Sequence, residues 1–331
     1  MRAAYIEQPG PPESIRVGDL PRPEPGPGQV LVRVGTSALN PIDLYVRSGL
    51  VAMPMSFPYV IGADLAGTVE AVGAGASRFR PGDRVWGSNQ GLLGRQGVSA
   101  EYAAVAEAWL YPTPASQTDA EAAGQALVGI TAHLGLFQKG QLQAGETVYV
   151  PGGSGGVGSM VVQMAKAVGA RVATSAGSPD RVEFCRSMGA DLALDYKADD
   201  IPARLREFAP EGVDVWFETQ REPDFEKSIP LLRRKGRMIV MAGRAARPAF
   251  PVGSFYPRDC SLFGFAMFNA APDDQRQCAE DIVRWSEAGR LKVPIGRTFP
   301  LSEAAEAHRF LEANTLHGAG KLMGKVVIQV D

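Results

Sequence analysis

The run Thr147-Val148-Tyr149-Val150-Pro151-Gly152-Gly153-Ser154-Gly155-Gly156-Val157-Gly158 constrains this chain more than any other feature. Its first four residues are β-branched or aromatic and favour an extended strand. Gly153, Gly155 and Gly158 follow in GxGxxG spacing, and an apolar helical pattern runs on to about Val168. Glycine is common here, 38 of 331 residues, so the spacing alone says little. The strand before it and the helix after it supply the meaning. The first glycine allows a tight turn, the second lets backbone N–H groups approach a pyrophosphate, and the third lets the helix pack on the strand. The helix start then offers unpaired N–H groups and a partial positive charge to an anion. A dinucleotide site is the reading.

The pattern around this motif divides the chain. At about 150 residues per domain, the length predicts two domains. Seven prolines fall within the first 27 residues, which predicts turns and short edge strands. Val30–Val34, Gly67–Gly73 and Asp83–Trp86 read as strands, so residues 1 to about 115 are mostly β. Thr118-Asp119-Ala120-Glu121 matches a capping box, with a helix expected to about Lys139. Strands are then expected at Thr147–Val150, Arg171–Ser175, Leu192–Asp195, Val213–Phe217 and Met238–Met241, with helical segments between them. Such alternation predicts a parallel sheet. The last 60 residues hold two helices and a closing strand, Lys325–Val330.

The end of the second strand bears on which dinucleotide binds. An NAD site places Asp or Glu there, on the ribose hydroxyls. Here the chain reads Ala173-Thr174-Ser175-Ala176-Gly177-Ser178, with Arg181 in the next helical turn. No acid repels a 2′-phosphate, and an arginine can grip one. NADPH is favoured over NADH, with Ser175, Gly177 and Arg181 as the reading residues.

Composition excludes several classes. A chain that is 45% hydrophobic and 21% charged is neither disordered nor a disulfide scaffold. Its net charge of -2 gives no bulk attraction to nucleic acid or anionic membrane. Cys185, Cys260 and Cys278 form no pair and no metal cluster, and the first residues lack a signal-peptide pattern. A cytoplasmic protein is the expectation.

Further along the chain, Asn40-Pro41-Ile42-Asp43-Leu44-Tyr45-Val46-Arg47-Ser48-Gly49, Gly62-Ala63-Asp64-Leu65-Ala66-Gly67, Gly82-Asp83-Arg84-Val85 and Gly324-Lys325-Val326-Val327 accompany the glycine motif. In this order and spacing they resemble the zinc-independent quinone oxidoreductases (zeta-crystallin-like) of the medium-chain dehydrogenase/reductases, over nearly the whole chain. The resemblance implies an α/β chain: a GroES-like β domain, residues 1–120 completed by 270–331, plus a Rossmann doubly wound parallel sheet domain, residues 121–269. It also implies a homodimer or homotetramer. Zinc-dependent relatives in the superfamily use Cys, His-Glu and Cys. Here the first position falls at Asn40 or its neighbours and the second reads Gly62-Ala63-Asp64, without the His. No cysteine lies near Gly87–Ser99, where a structural zinc lobe would sit, and His133, His308 and His317 are scattered. No metal is expected.

Without a Lewis acid, hydride transfer needs an acceptor that spreads negative charge by conjugation, with hydrogen-bond donors at the developing oxyanion. The resemblance points to Tyr45, at the nicotinamide end of the cofactor site, with Asn40 as a second donor. Asp43 reads as structural and Arg47 as a surface charge. Carried over by resemblance, Ser154, Gly155, Gly156 and Val157 hold the pyrophosphate. Gly177 and Tyr196 flank the adenosine ribose. Thr131 lies near the nicotinamide, and Phe265, Ala266 and Met267 belong to the segment that touches its carboxamide. Ala242, Gly243 and Arg244 follow a buried strand, at the end where ligands bind in such sheets. Where relatives carry Asp-x-Val-Gly after the fourth strand, this chain has Phe217-Glu218-Thr219-Gln220-Arg221. Three functions remain open at this stage: NADPH-dependent quinone reduction, reduction of enone or enoyl-thioester double bonds, and NADPH binding in a structural or RNA-binding role. The last is disfavoured by the charge balance and the lack of an aromatic-interleaved basic run.

Overall fold

The computed structural model describes residues 1–330. Two compact units emerge, Met1–Leu127 with the segment from Ala270 onward, and Val128–Asn269. The helix Asp119–His133 is shared between them. It starts with the capping box read from the sequence. Thr118 N donates to the Glu121 carboxylate at 2.9 Å, and Glu121 N donates to Thr118 Oγ1 at 3.3 Å.

The first unit is built on antiparallel strands. The long strand Gln29–Leu39 pairs with Asp64–Val72, Tyr102–Ala106 and the closing strand Lys325–Gln329. Along it Arg33 alone is exposed, and burial is continuous from Thr36 to Leu39. The proline-rich start contributes only Arg2–Ile6 and Arg16–Asp19, paired antiparallel. The short helix Pro41–Arg47 carries proline in its first turn and Asn40 at its N-cap.

Arg47 corrects the sequence reading. It is 1% exposed and forms an ion pair with Glu312 at 2.8 Å, so it is a buried strut rather than a surface charge. The helix Pro41–Arg47 packs on the helix Ala304–Thr315, and a long side chain leaving its last turn enters that contact.

The second unit is one six-stranded parallel sheet. Its spatial order is Leu192–Asp195, Arg171–Ala176, Thr147–Pro151, Val213–Glu218, Leu232–Val240, Ser261–Gly264. Chain order reverses at Thr147–Pro151, the strand that leads into the glycine motif. A reversal of this kind is where doubly wound sheets bind ligands. Thr147–Pro151 and Val213–Glu218 are buried throughout, as inner strands must be. The fifth strand begins at Leu232, six residues before the expected Met238. The cationic run Arg233-Arg234-Lys235 hides it, and Lys235 sits at φ +61 where the register shifts. No described helix is long and apolar enough to cross a membrane.

His308, on the helix Ala304–Thr315, is fully buried, and neither ring nitrogen has a hydrogen-bond partner among the described residues. Burial, with the neighbouring Arg47 charge, pushes its pKa down to about 3. The ring is therefore neutral in the fold and takes up a proton on unfolding below its ordinary value of 6.5. Its contribution is complete above pH 6.5 and is lost progressively as pH falls toward 3. We predict that His308→Phe, which fills the same space, flattens the acid side of the thermal-melting profile between pH 6.5 and 4. At pH 8 it should stay within about 1.5 kcal/mol of the parent. Melting midpoints across that range check it, and a variant whose acid slope matches the parent contradicts it.

Candidate cofactor site and a polar cluster of the first unit

The glycine loop owes its shape to three different demands. Gly152 takes φ +74, a left-handed conformation that a β-branched residue resists. Its N–H and that of Gly153 both donate to Ser175 O, at 2.9 and 3.1 Å. A side chain at Gly153 would meet Thr174 Oγ1 at 2.2 Å, and one at Gly158 would meet Gly152 O at 2.2 Å. These two glycines are required by packing. Gly155 differs: a Cβ there would touch only Gly152 O, at 3.3 Å, and the residue is exposed. It is the N-cap of the helix Gly156–Ala167 and gives that helix no side-chain cap. The N–H groups of the first turn therefore have no acceptor within the helix. An open face, first-turn donors and a helix dipole make a fitting cradle for a pyrophosphate.

The adenosine side is assembled from the next two strands. Tyr196 follows Leu192–Asp195, is 54% exposed and lies against Gly177, where a Cβ would fall 2.5 Å from its hydroxyl. Only glycine lets the phenol settle there. Arg181 reaches back from the helix Pro179–Ser187 to Ser154 Oγ at 3.3 Å, so a guanidinium stands beside the loop. Ser175 departs from the sequence reading. Its hydroxyl is buried and bonded to Tyr149 Oη at 2.8 Å, so its carbonyl shapes the loop while its side chain faces the interior.

The other expected contacts follow neighbouring strands. Ala242-Gly243-Arg244 leaves Leu232–Val240, with Gly243 at φ +87 close to Arg221 O. Phe265 N donates to Val240 O at 3.2 Å, which places Phe265-Ala266-Met267 just beyond Ser261–Gly264. Thr131 is buried with its hydroxyl unpartnered among the described residues. The sequence leaves the contacts of the 218–224 loop open. Thr219 Oγ1 donates to Pro151 O, tying it to the glycine loop. Glu218 turns inward, accepting from Trp216 Nε1 at 3.0 Å and Gln220 N at 2.7 Å, and burial raises its pKa.

In the first unit, a polar cluster surrounds the start of Pro41–Arg47. Asn40 was expected to offer its amide to a substrate. It is instead 0% exposed and fully engaged. Nδ2 donates to Asp64 Oδ2 at 2.7 Å, and Oδ1 accepts from Lys325 Nζ at 2.5 Å. Its backbone N–H donates to Asp43 Oδ2 at 2.7 Å. Asp64 also accepts from Ser88 Oγ at 2.6 Å and from Leu127 N at 3.2 Å. Burial raises the pKa of Asp43 to about 7, with Asp64 adding to the rise, and burial raises that of Asp64. Burial lowers the pKa of Lys325, against the pull of both carboxylates. Tyr45 is half-buried on the same helix, its carbonyl accepting from Val51 N at 3.0 Å. Lys325 and Asp64 were visible only as unexplained letters of motifs.

Two families match the chain: "Zinc-binding dehydrogenase" over residues 156–285 and "Alcohol dehydrogenase GroES-like domain" over 26–115. Human quinone oxidoreductase is 32% identical over 99% of this chain and 97% of its own length. An Arabidopsis thaliana chloroplastic NADPH-dependent alkenal/one oxidoreductase is 33% identical over 91% of this chain and 73% of its own. Among solved structures, an NAD-dependent alcohol dehydrogenase superposes with TM-score 0.89 at 33% identity, covering 100% of both chains. A mycobacterial protein solved with NADPH superposes at 0.85 with 29% identity, covering 99% of each. The first family's description names zinc, and the residues here do not fit one. Among the described residues no group of three or more His, Cys, Asp or Glu is placed to hold a metal ion. The two clustered carboxylates share their space with an ammonium.

Arg181 beside Ser154, with no acid at the end of Arg171–Ala176, generates a direct prediction. Arg181→Ala should weaken NADPH binding about tenfold, the scale of one charge-assisted contact, and change NADH binding less than about twofold. Fluorescence titration with both nucleotides measures it. Equal losses would remove Arg181 from 2′-phosphate recognition.

Proposed function

The chain belongs to the quinone oxidoreductase branch of the medium-chain dehydrogenase/reductase superfamily and is an oxidoreductase, and on that premise we propose that it passes reducing equivalents from NADPH to quinones without a metal. One observation carries the reading. At the start of Pro41–Arg47, the carboxylates, amide and ammonium of Asp43, Asp64, Asn40 and Lys325 are spent on one another. They leave no ligand set for a Lewis acid, so the acceptor must delocalise the incoming charge itself. Quinones do so over two conjugated carbonyls. The full-length similarity to quinone oxidoreductases supports the same class.

The cofactor, when bound, supplies the hydride. The chain's residues bind and orient it. The first-turn N–H groups after Gly155, with Ser154, receive the pyrophosphate. Arg181 and Tyr196 receive the adenosine phosphate and ring. Thr131, with its unsatisfied buried hydroxyl, Ala242-Gly243-Arg244 and Phe265-Ala266-Met267 serve the nicotinamide side. Tyr45 donates its O–H to the acceptor oxygen that gains charge, a contribution that strengthens only as the charge develops.

The alkenal/one oxidoreductase relative makes double-bond reduction the second reading. An acceptor panel separates the two. With NADPH and a chelator present, 9,10-phenanthrenequinone should be reduced and 2-enones should turn over at least about tenfold less efficiently, a gap of one transition-state contact. Faster enone turnover would reverse the order of the readings, and activity abolished by the chelator would end the metal-free proposal. In the same assay Tyr45→Phe should lower kcat about tenfold with NADPH affinity unchanged. A variant with the parent's kcat removes Tyr45 from the chemistry.

A further inference from the structure

We propose that Lys325 is a positioning residue for this reduction: its buried ammonium fixes Asn40, and through Asn40 the entry of the helix that carries Tyr45. Strand register brings the parts together. Val326 pairs with Leu39, which sets Lys325 beside Asn40. Ala38 pairs with Asp64, which sets Asp64 on the other flank. Asn40 therefore stands between the last strand of the chain and one of its early strands.

The chemistry of the amide makes the arrangement directional. An amide oxygen only accepts and an amide nitrogen only donates. Lys325 Nζ is a donor, so Oδ1 must face it, and it also donates to Leu39 O at 2.8 Å. Nδ2 is then aimed at Asp64. With the side chain held from both sides, the Asn40 N–H meets Asp43 and closes the capping box. Pro41–Arg47 is seven residues long. A helix that short does not sustain itself, so its direction depends on its cap and its packing. Tyr45 lies one turn beyond that cap.

The turnover part of this inference rests on the proposed quinone reduction, so the test has an arm that does not. In Lys325→Met the stem is kept and the donor lost. Hydrogen exchange is followed at the amides of Asp43, Ser48 and Gly49, which donate to Asn40 O, Leu44 O and Val46 O. The amides of Arg171–Ala176 serve as reference. We expect exchange in the helix to rise about tenfold or more with the reference unchanged, the mark of a locally loosened element. We expect kcat for the quinone to fall about tenfold or more, with KM for NADPH within about twofold, as misplacement of a reacting group does. Lys325→Met with Asp64→Asn keeps the cluster's net charge and carries the test if the single variant does not fold. It should behave the same way, since the donor to Asn40 is still missing. Parent-like exchange in a folded variant overturns the proposal, and so does faster exchange with the parent's kcat. A parent protein that reduces no quinone fails the function reading, and the exchange result still decides the placement.

Discussion

Three strand ends meet at Asn40, and the first unit is organised by that meeting. An ammonium and two carboxylates are withdrawn from water there, at a cost of several kcal/mol per ion before pairing. The cost is offset because nearly every polar atom finds a partner: Lys325 on Leu39 O and Asn40, and Asp64 on Ser88, Asn40 and Leu127 N. Leu127 lies on the helix Asp119–His133, and Lys325 lies almost 300 residues along the chain from Asn40. The cluster therefore joins the two distant chain segments that make this unit. Removing any one member would leave a buried charge or an amide without its complement, which is the costly way to lose a hydrogen bond.

Much of the fold could be read from local pattern. The strand–turn–helix at Thr147–Gly158, the capping box at Thr118–Glu121 and the β-to-alternating transition depend on neighbours in sequence, and periodicity exposes them. The closing strand could be seen too, but its place could not. Nothing local tells Lys325 that it will lie beside Asn40, since that is a matter of register between strands far apart in the chain. The family resemblance implies that the chain end returns to the first unit, and long-range packing sets the side-chain partners. For the same reason Arg47 reads as a surface charge and Asn40 as an amide donor to substrate, whereas both are buried against partners distant in the chain. Ser175 was misjudged by a rotation of one side chain, since its hydroxyl prefers Tyr149 to the exterior.

Within the glycine motif, shape and recognition fall to different residues. Gly153 and Gly158 are crowded from inside the protein, where a methyl group would collide with Thr174 or with Gly152. Any ligand-free turn of this shape would need them. Gly155 is crowded only lightly and opens outward, so its lack of a side chain serves what approaches from solvent. A dinucleotide reading rests more firmly on this division than on the spacing, because a tight turn alone would not keep its middle glycine on an open face.

The charges along the same strand ends follow a consistent logic. An anion held by backbone N–H groups is weakened by any nearby carboxylate. Glu218 ends the strand next to Thr147–Pro151, where an outward carboxylate would oppose a phosphate. It turns inward to Trp216 Nε1 and Gln220 N, and burial favours its neutral form. Arg181, on the other side, reaches out to Ser154. The acid is masked and the base is presented. That asymmetry suits an anionic ligand at this end of the sheet.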